Sequence, residues 1–293
     1  MKIAIFGRSF NPEFRQFIIE FFDQLRIHQS EVLIYRPFYD FLIQKANCEV
    51  VYHSLFEGGE DAPDDIDFLI SIGGDGTFLE SLQFLKKFEI PVIGLNSGRL
   101  GFLANISKEE ITEAFEAIIS GNYELETRSM ILLETNNNPF DKYNFALNDA
   151  SIQKKDSVMI TIDAFLDNEY LNTYWTDGLI VSTPTGSTAY SLSVGGPIIT
   201  PGSGNFVIAP IASHNLSVRP IVIPDNKEIR LEVNSRSGGF LITVDNRTHL
   251  MNGKNNTFYV RKAPFDLRMI RLPFNNFYST IRNKLMWGAD KRN

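Results

Sequence analysis

Hydrophobic and polar positions follow two different patterns along the chain, and the change falls near Asn122. Before it, short β-rich runs alternate with helical spacing: Lys2–Gly7 predicts a buried strand, and Pro12–His28 carries apolar residues at helical intervals. The same alternation predicts strands at Glu31–Tyr35, Asp67–Ile72 and Pro91–Leu95, and helices at Thr77–Phe88 and Ser107–Ser120. Such alternation predicts a mostly parallel sheet covered by helices.

After Asn122 the pattern changes to short β-rich runs separated by clusters of Gly, Pro, Asn and Asp. The runs are Met130–Glu134, Asn144–Gln153, Met159–Phe165, Leu179–Ser182, Asn205–Ala209, Ile229–Val233, Phe240–Val244 and Thr257–Val260. Closely spaced strands with turn signals favour a β sandwich. We therefore predict a Rossmann-like α/β domain over residues 1–122 and an all-β, β-sandwich-like domain over 123–270. A C-terminal helix over 275–290 is expected to pack back on the first domain.

Composition narrows the class of protein. The hydrophobic fraction of 43% and the charged fraction of 22% are those of an ordinary soluble globular chain. A net charge of −7 argues against binding to nucleic acid, which requires clustered Lys and Arg. The single Cys48 favours a reducing compartment, and no segment approaches the roughly 20 apolar residues of a membrane span. We expect a cytoplasmic protein with no membrane partner.

The strongest chemical motif is Gly73-Gly-Asp-Gly-Thr77, which follows the strand Asp67–Ile72 and opens the next helix. Glycines let the main chain approach a ligand closely, and free amides at the start of a helix favour phosphate. Asp75, in the middle of the loop, has the chemistry to bind a metal ion or accept a proton. The loop does not match the P-loop or G-x-G-x-x-G patterns. The alternative is a tight turn without function. The candidate phosphate loop comprises Gly73, Gly74, Gly76 and Thr77.

Three further segments carry polar residues at strand ends or within loops. Asn96–Leu103 follows the next strand, at the edge where open α/β sheets bind ligands. Asp177 precedes Thr183–Ser193, a stretch dense in hydroxyl residues that also predicts a helix at Ser187–Leu192. Asn148-Asp149 interrupts a strand-like run. Alternatively, the second segment is a Ser/Thr-rich surface loop and the third a β-bulge.

The glycine loop alone resembles the loops of NAD kinases, of diacylglycerol and sphingosine kinases and, in variant form, of phosphofructokinases. Taken in order, the segments over roughly residues 70–225 resemble the bacterial-type NAD kinase family, the ATP/polyphosphate-NAD kinases. The resemblance implies transfer of a phosphoryl group from ATP to the adenosine-ribose 2′-hydroxyl of NAD, giving NADP. It further implies Mg²⁺ or another divalent cation, and a homodimer or homotetramer.

The resemblance also assigns roles to particular residues. Asp75 matches the catalytic Asp, which would be ionised at neutral pH and orient the acceptor hydroxyl more than act as a strong base. Asn148-Asp149 matches the pair that binds ribose, and Ala212 is expected to line the substrate site of a neighbouring subunit. No residue is assigned as a metal ligand. The residues expected to bind NAD are Asp75, Gly76, Phe102, Asn148, Asp149, Asp177, Thr185, Thr188, Ala189, Tyr190, Ser191, Leu192, Ser193, Ala212 and Arg247.

Three positions depart from the family pattern. Asp149 replaces the usual Glu, Arg247 ends a Val-Asp-Asn-Arg segment where Val-Asp-Gly-Gln is usual, and Trp175 replaces a position often basic or small. These changes bear on the choice between NAD and NADH. Two other readings remain open: a lipid kinase with the same loop, which would lack Thr183–Ser193, and a non-catalytic dinucleotide sensor, against which the retained Asp75 argues.

Overall fold

The computed structural model describes residues 1–61, 64–85, 88–98, 100–236, 238–252 and 256–287. The chain forms two compact units. The first comprises Met1–Thr127 together with the chain from Leu267 onward, and the second comprises Arg128–Asp266. The last three residues of the predicted helix at 275–290 lie outside the described residues.

The regular elements are numbered in chain order. The α-helices are α1 (Arg15–Ile27), α2 (Arg36–Gln44), α3 (Asp75–Ser81), α4 (Ile111–Ser120), α5 (Tyr190–Ser193) and α6 (Phe277–Leu285). The first strands are β1 (Lys2–Gly7), β2 (Glu31–Tyr35), β3 (Ser54–Phe56), β4 (Phe68–Gly73), β5 (Val92–Asn96), β6 (Glu124–Thr135), β7 (Phe145–Ala146), β8 (Asp149–Lys154) and β9 (Ile160–Leu166). The remaining strands are β10 (Glu169–Thr176), β11 (Gly178–Ser182), β12 (Asn205–Ile211), β13 (Ile221–Pro224), β14 (Ile229–Ser235), β15 (Gly239–Val244), β16 (Arg247–Asn252) and β17 (Asn256–Arg271). Short 3-10 turns occupy Pro12–Phe14, Leu82–Phe84, Lys108–Glu110 and Gly186–Thr188.

The first unit contains a parallel sheet in the order β5-β4-β1-β2-β3, and Met269 of β17 pairs beside Val92 of β5. From β1 the chain builds outward to β2 and β3, then returns to the other side with β4 and β5. This reversal is the switch point at which open α/β sheets bind ligands, beyond the carboxyl ends of the strands. Gly73 ends β4 at that edge.

The helices of the first unit follow the predicted apolar spacing. In α1 the buried residues are Phe17, Ile18, Phe21, Phe22 and Leu25. The helix α4 begins after a capping box, in which the Ser107 amide donates to the Glu110 carboxylate at 2.8 Å. The sequence pattern missed α2 and β3. Only Phe38 and Leu42 are buried in α2, so its apolar stripe is too short to stand out.

Two predicted helices have other bounds in the structure. The segment predicted at Thr77–Phe88 begins at Asp75 and turns to 3-10 geometry after Ser81, and Lys86 and Lys87 lie outside the described residues. The helix predicted at Ser187–Leu192 is divided in two at Ala189, whose ψ of −128° is not helical.

The second unit is a sandwich of antiparallel strands. One layer contains the order β10-β9-β14-β17 and the other the order β13-β12-β11-β8-β15-β16. Alternate residues of both layers face a common core, including Ile152, Leu179, Ile162, Leu231 and Phe258. The β-sandwich-like prediction is therefore confirmed. The sequence pattern missed β10, β13 and β16, which lack a regular apolar alternation; β13 and β16 are mostly exposed, and only two positions of β10 are buried.

The run predicted as one strand at Asn144–Gln153 is interrupted in the structure. It forms β7, then Leu147 and Asn148 outside regular structure, then β8. Among the described residues, no helix has the length and apolar character needed to cross a membrane.

Candidate functional site

The glycine loop joins the end of β4 to the start of α3. A side chain at Gly73 would overlap Thr77, so packing within the loop requires glycine there. At Gly74 and Gly76, by contrast, a Cβ atom would meet no described atom within 4 Å. Close packing therefore does not explain why glycine occupies these two positions. They leave the main chain open for close approach by a ligand.

The Asp75 carboxylate is held by three successive backbone amides. Leu103 and Ala104 donate to Oδ1 at 2.9 and 3.0 Å, and Phe102 donates to Oδ2 at 3.0 Å. The Lys284 ammonium of α6 also donates to Oδ2, at 3.2 Å. The predicted catalytic carboxylate is thus fixed in position by the backbone of residues 102–104.

The charge state of Asp75 follows from these contacts. Burial raises its pKa, but the amides of Phe102, Ala104 and Leu103 and the Lys284 ammonium outweigh burial, so the pKa lies below the ordinary value. The group is ionised at neutral pH and is a weak base. These properties suit a carboxylate that orients a hydroxyl group.

Gly101 gives Asp75 access to these amides. A Cβ atom at Gly101 would overlap Asp75 Oδ1, so any side chain there would push the carboxylate away. The sequence pattern included Gly101 in the segment Asn96–Leu103 but gave it no role. It also missed the amides of Leu103 and Ala104. Of that segment, only Phe102 was named as a site residue, and the contact found is through its amide.

A cavity of about 590 Å³ opens at the carboxyl edge of the parallel sheet. Its described lining includes Asn11, Phe14, Asn96, Ser97 and Lys108. The Ser97 amide donates to the Gly73 carbonyl at 3.3 Å, so the cavity adjoins the glycine loop. Its volume falls within the range of small-molecule sites.

In the second unit, Asn148 lies directly against the segment Thr183–Ser193. The Thr183 amide donates to the Asn148 carbonyl at 2.9 Å, and a side chain at Gly186 would overlap that carbonyl. Asp149 pairs with Ser182 across β8 and β11. The structure therefore brings together two motifs that the sequence presented separately.

Asp245 holds the Asn148-Asp149 motif from the other side. Its carboxylate accepts the amides of Leu147, Asn148 and Asp149 at 2.9, 2.8 and 3.3 Å. Asp245 has φ of +52°, a left-handed conformation that Asp adopts more readily than most residues. The sequence pattern gave Asp245 no role, since nothing local links it to residues 147–149.

Arg247 is engaged with the backbone of its own unit. Its guanidinium donates to the carbonyls of Tyr143 at 2.6 Å and Phe145 at 2.5 Å, and to Val244 at 3.4 Å. Burial lowers its pKa, and the neighbouring Asp245 opposes that effect. In this arrangement Arg247 fixes the chain just before the Asn148-Asp149 motif.

The carboxyl groups of Asp149 and Asp245 form a buried acidic pair. Burial, and then the charge of Asp245, raise the pKa of Asp149 to about 7. Burial also raises the pKa of Asp245, against the opposing effect of its amide donors and Arg247. Asp245 accepts three amides, whereas no donor to the Asp149 carboxylate is found among the described residues. Burial and the neighbouring Asp245 therefore favour the protonated form of Asp149.

The raised pKa of Asp149 makes stability depend on pH. The folded pKa of Asp149, about 7, exceeds its unfolded value. The contribution of Asp149 to the free energy of unfolding is therefore full below about pH 4 and is lost as pH rises through 7. Asp149→Asn has no ionisable group at this position, so the variant avoids this loss of stability, which reaches about 4 kcal/mol at pH 8. The melting temperature of the variant minus that of wild type should rise between pH 5 and pH 8. Exposed Asp266→Asn controls for the removed charge. A difference that stays constant with pH would contradict the assignment.

The other residues of Thr183–Ser193 are placed as follows. Thr185 is buried and accepts from Arg128 at 3.3 Å, and the Thr188 hydroxyl donates to the Thr185 carbonyl at 3.1 Å. Tyr190 and Ser193 are exposed, while Ala189 and Leu192 are half-buried. The Ser191 hydroxyl is fully buried and has no hydrogen-bond partner in the described structure.

Asp177 and Ala212 lie at the opposite end of β11 from Asn148. The Asp177 amide donates to the Ile211 carbonyl at 3.0 Å, and the Asp177 carboxylate pairs with Lys154 at 2.7 Å. The intervening strand, Gly178–Ser182, has 5 residues. At roughly 3.4 Å per residue it separates the two ends by about 17 Å. The structure therefore does not bring Asp177 and Ala212 of one chain to Asn148 and Asp149 of the same chain.

Within the described ranges, no three His, Cys, Asp or Glu side chains form a group that would hold a metal ion. Mg²⁺ is usually held by one or two carboxylates together with substrate phosphates and water, so a nucleotide-borne ion requires no protein cage.

Comparison with known proteins defines the class. The ATP-NAD kinase N-terminal domain matches residues 28–123, and the ATP-NAD kinase C-terminal domain matches residues 147–272. The NAD kinases of Flavobacterium psychrophilum and Bacteroides fragilis are each 41% identical, with 100% of both chains covered. That of Porphyromonas gingivalis is 42% identical over 99% of each chain.

Solved structures agree on the fold. Yeast NADH kinase complexed with NADH has a TM-score of 0.87 and 24% identity, covering 99% of this chain and 89% of that one. An NAD kinase from Archaeoglobus fulgidus in complex with ATP has a TM-score of 0.73 and 24% identity, covering 96% and 99%. The fold and the sequence matches define a two-domain phosphotransferase. The chain belongs to the NAD kinase family. The predicted fold class, α/β followed by a β-rich domain, and the predicted family are both confirmed.

Proposed function

We propose that this enzyme transfers the terminal phosphoryl group of ATP to the adenosine-ribose 2′-hydroxyl of NAD, giving NADP. The observation that carries the proposal is the Asp75 carboxylate, which is ionised and held by three backbone amides beside an open glycine loop. Membership of the chain in the NAD kinase family supports NAD as the phosphoryl acceptor and ATP as the donor.

Asp75 orients the acceptor hydroxyl. A ribose hydroxyl is a poor nucleophile, and a carboxylate within hydrogen-bond reach aligns it for in-line attack on phosphorus. The lowered pKa makes Asp75 a weak base, so the proton leaves the hydroxyl late, as the new O–P bond forms. Orientation is therefore the larger contribution of this group.

The cavity beside the glycine loop is the candidate site for ATP. It lies at the carboxyl edge of the sheet, and Ser97 connects its lining to Gly73. Gly74 and Gly76 leave main-chain amides accessible to phosphate oxygens. The acidic residues in the lining, Glu13, Glu109 and Glu110, require that the nucleotide enter with its charge neutralised.

A divalent cation, Mg²⁺ by preference, fits this donor set as an ion carried on the triphosphate. Asp75 is the carboxylate of the glycine loop, and the described residues offer no cage that would hold the ion without nucleotide. When bound, the ion neutralises phosphate charge. The residues of the chain bind and orient the two substrates.

The second unit supplies the residues for NAD. Asn148 and Asp149 are assigned to ribose, with the hydroxyl and aromatic residues of Thr183–Ser193 beside them. The close packing of Asn148 against Thr183 and Gly186 supports this assignment, because it brings the two segments together. Arg247 is less suited to direct contact with NAD, since its guanidinium already donates hydrogen bonds to the carbonyls of Tyr143 and Phe145.

We further propose a cytoplasmic homodimer or homotetramer in which Asp177 and Ala212 serve the site of a neighbouring chain. Their placement at the far end of β11 supports this, because they cannot reach Asn148 within one chain.

Mixing two inactive variants tests the shared site. Asp75→Asn and Asp177→Asn chains should each show little turnover alone. A heterodimer isolated through both tags contains one site with both wild-type residues and one site with neither, so activity should recover to about half of wild type in a dimer. The readout is NADP formation by chains carrying two different tags and purified together. Co-purified mixtures that remain inactive would contradict a shared site.

The decisive test of the proposed function is an assay of NADP formation. Wild-type protein is incubated with NAD, ATP and MgCl₂, and NADP is measured with an NADP-specific dehydrogenase. Parallel reactions replace ATP by polyphosphate, NAD by NADH, or NAD by diacylglycerol. Turnover of the lipid alone would favour a lipid kinase, and NAD binding without product would favour a dinucleotide sensor.

A further inference from the structure

The C-terminal helix reaches the residues around Asp75. Asn275 donates to the Asn105 carbonyl at 3.3 Å, and the ring of Phe277 lies 6.4 Å from that of Phe102. Lys284 follows Phe277 by two helical turns and so faces the same way. Its ammonium lies 3.2 Å from Asp75 Oδ2 and 4.7 Å from the centre of the Phe102 ring.

Lys284 fills the last acceptor position of Asp75. An ionised carboxylate offers about four lone-pair positions. The amides of residues 102–104 occupy three of them, and Lys284 occupies another. A substrate hydroxyl cannot donate to Asp75 until one donor leaves.

Lys284 is the donor that can leave. The three amides belong to a loop fixed by its own backbone, in which the Gly101 amide bonds to the Ala104 carbonyl at 2.9 Å. The Lys284 ammonium, by contrast, ends a flexible side chain that is 33% exposed. Moving it breaks the ion pair with Asp75 and the contact with the Phe102 ring, and leaves the ammonium in solvent.

We propose that Lys284 is a catalytic residue for phosphoryl transfer. It holds the acceptor position on Asp75 in the ligand-free protein, then yields it to the substrate hydroxyl and donates to an oxygen of the migrating phosphoryl group. The inference rests on the proposed function. In the step, the bond from the hydroxyl oxygen to phosphorus forms and the bond from phosphorus to the leaving ADP oxygen breaks. The electron pair goes to ADP, the hydroxyl proton passes to Asp75, and Lys284 stays protonated.

The charge of Lys284 is suited to this role. Negative charge is spread over the phosphoryl oxygens during transfer, and a nearby cation stabilises it. An ammonium one hydrogen bond from the carboxylate that holds the acceptor lies next to the point of attack. Its three N–H groups allow it to donate to phosphate while remaining near Asp75.

The test is Lys284→Met in the full-length protein, with Lys284→Arg as the charge-conserving variant and exposed Arg282→Met as the control on the same helix. For Lys284→Met, kcat should fall at least tenfold while KM for NAD stays the same or decreases, because the acceptor position is free. Lys284→Arg should recover part of kcat, and Arg282→Met should match wild type. Melting curves check that each variant folds.

Three outcomes would overturn the inference. Unchanged kcat in folded Lys284→Met would show that the ion pair has no part in transfer. Faster turnover would show that Lys284 only obstructs Asp75. A raised KM with unchanged kcat would assign it to binding alone. Failure of the proposed function is separate, since in that case wild type itself would produce no NADP.

Discussion

Asp75→Asn should reduce kcat for NADP formation by about 10³-fold or more, while the Kd for NAD changes by only a few-fold. The substitution removes the charge that aligns the hydroxyl. It also places a side-chain NH₂ group, itself a donor, opposite other donors. The Asn oxygen can accept from Leu103 and Ala104, but the nitrogen then faces the Phe102 amide and the Lys284 ammonium. The measurements are initial rates at saturating ATP and NAD, with NAD affinity from calorimetry.

Glu80→Gln is the matched control for Asp75→Asn. Glu80 is also a carboxylate of α3, where it pairs with Arg8 at 2.7 Å. Its neutralisation should leave kcat within about twofold, as expected for an exposed ion pair. Turnover by Asp75→Asn comparable to that of Glu80→Gln would remove Asp75 from the proposed reaction.

Asp245→Ala should damage both stability and NAD binding. It leaves the partly buried amides of Leu147, Asn148 and Asp149 without their acceptor, at about 1–3 kcal/mol each before relaxation. A net loss of about 3–5 kcal/mol corresponds to a fall in melting temperature of roughly 10 °C. KM for NAD should rise at least tenfold, since the ribose-binding pair loses its anchor. Thermal melts and steady-state kinetics measure the two effects.

Asp245→Asn separates hydrogen bonding from charge. The Asn side-chain oxygen can still accept the amides of Asn148 and Asp149, which both bond to Oδ1, and Asn tolerates the left-handed backbone at this position. This variant should lose less than half the stability lost by Asp245→Ala. Equal losses in the two variants would mean that the charge of Asp245, and not its role as acceptor, holds the motif.

The sequence predicted those parts of the site whose residues are close together in the chain. The glycine loop was recognisable because strand, turn and helix follow within a few residues. Lys284 and Asp245 were not, because their partners lie 209 and 97 residues away in the sequence. Contacts at such separations are created by the fold and leave no local pattern.

The same distinction holds for the fold. Buried strands such as β4 and β11 are continuous apolar runs, whereas β16 at the edge of its sheet is largely exposed and has no alternation to detect. Asn148 was read as an interruption of a strand, and in the structure it marks the gap between β7 and β8. The sequence located this gap but not the carboxylate that shapes it.

Asp75 and Asp245 share one arrangement. Each carboxylate gathers the amides of three consecutive residues, 102–104 in one case and 147–149 in the other. Both segments are therefore ordered before any nucleotide arrives, and the entropy of fixing them is lost during folding. A dinucleotide would then bind without that entropic cost, and more of its contact energy would remain as affinity.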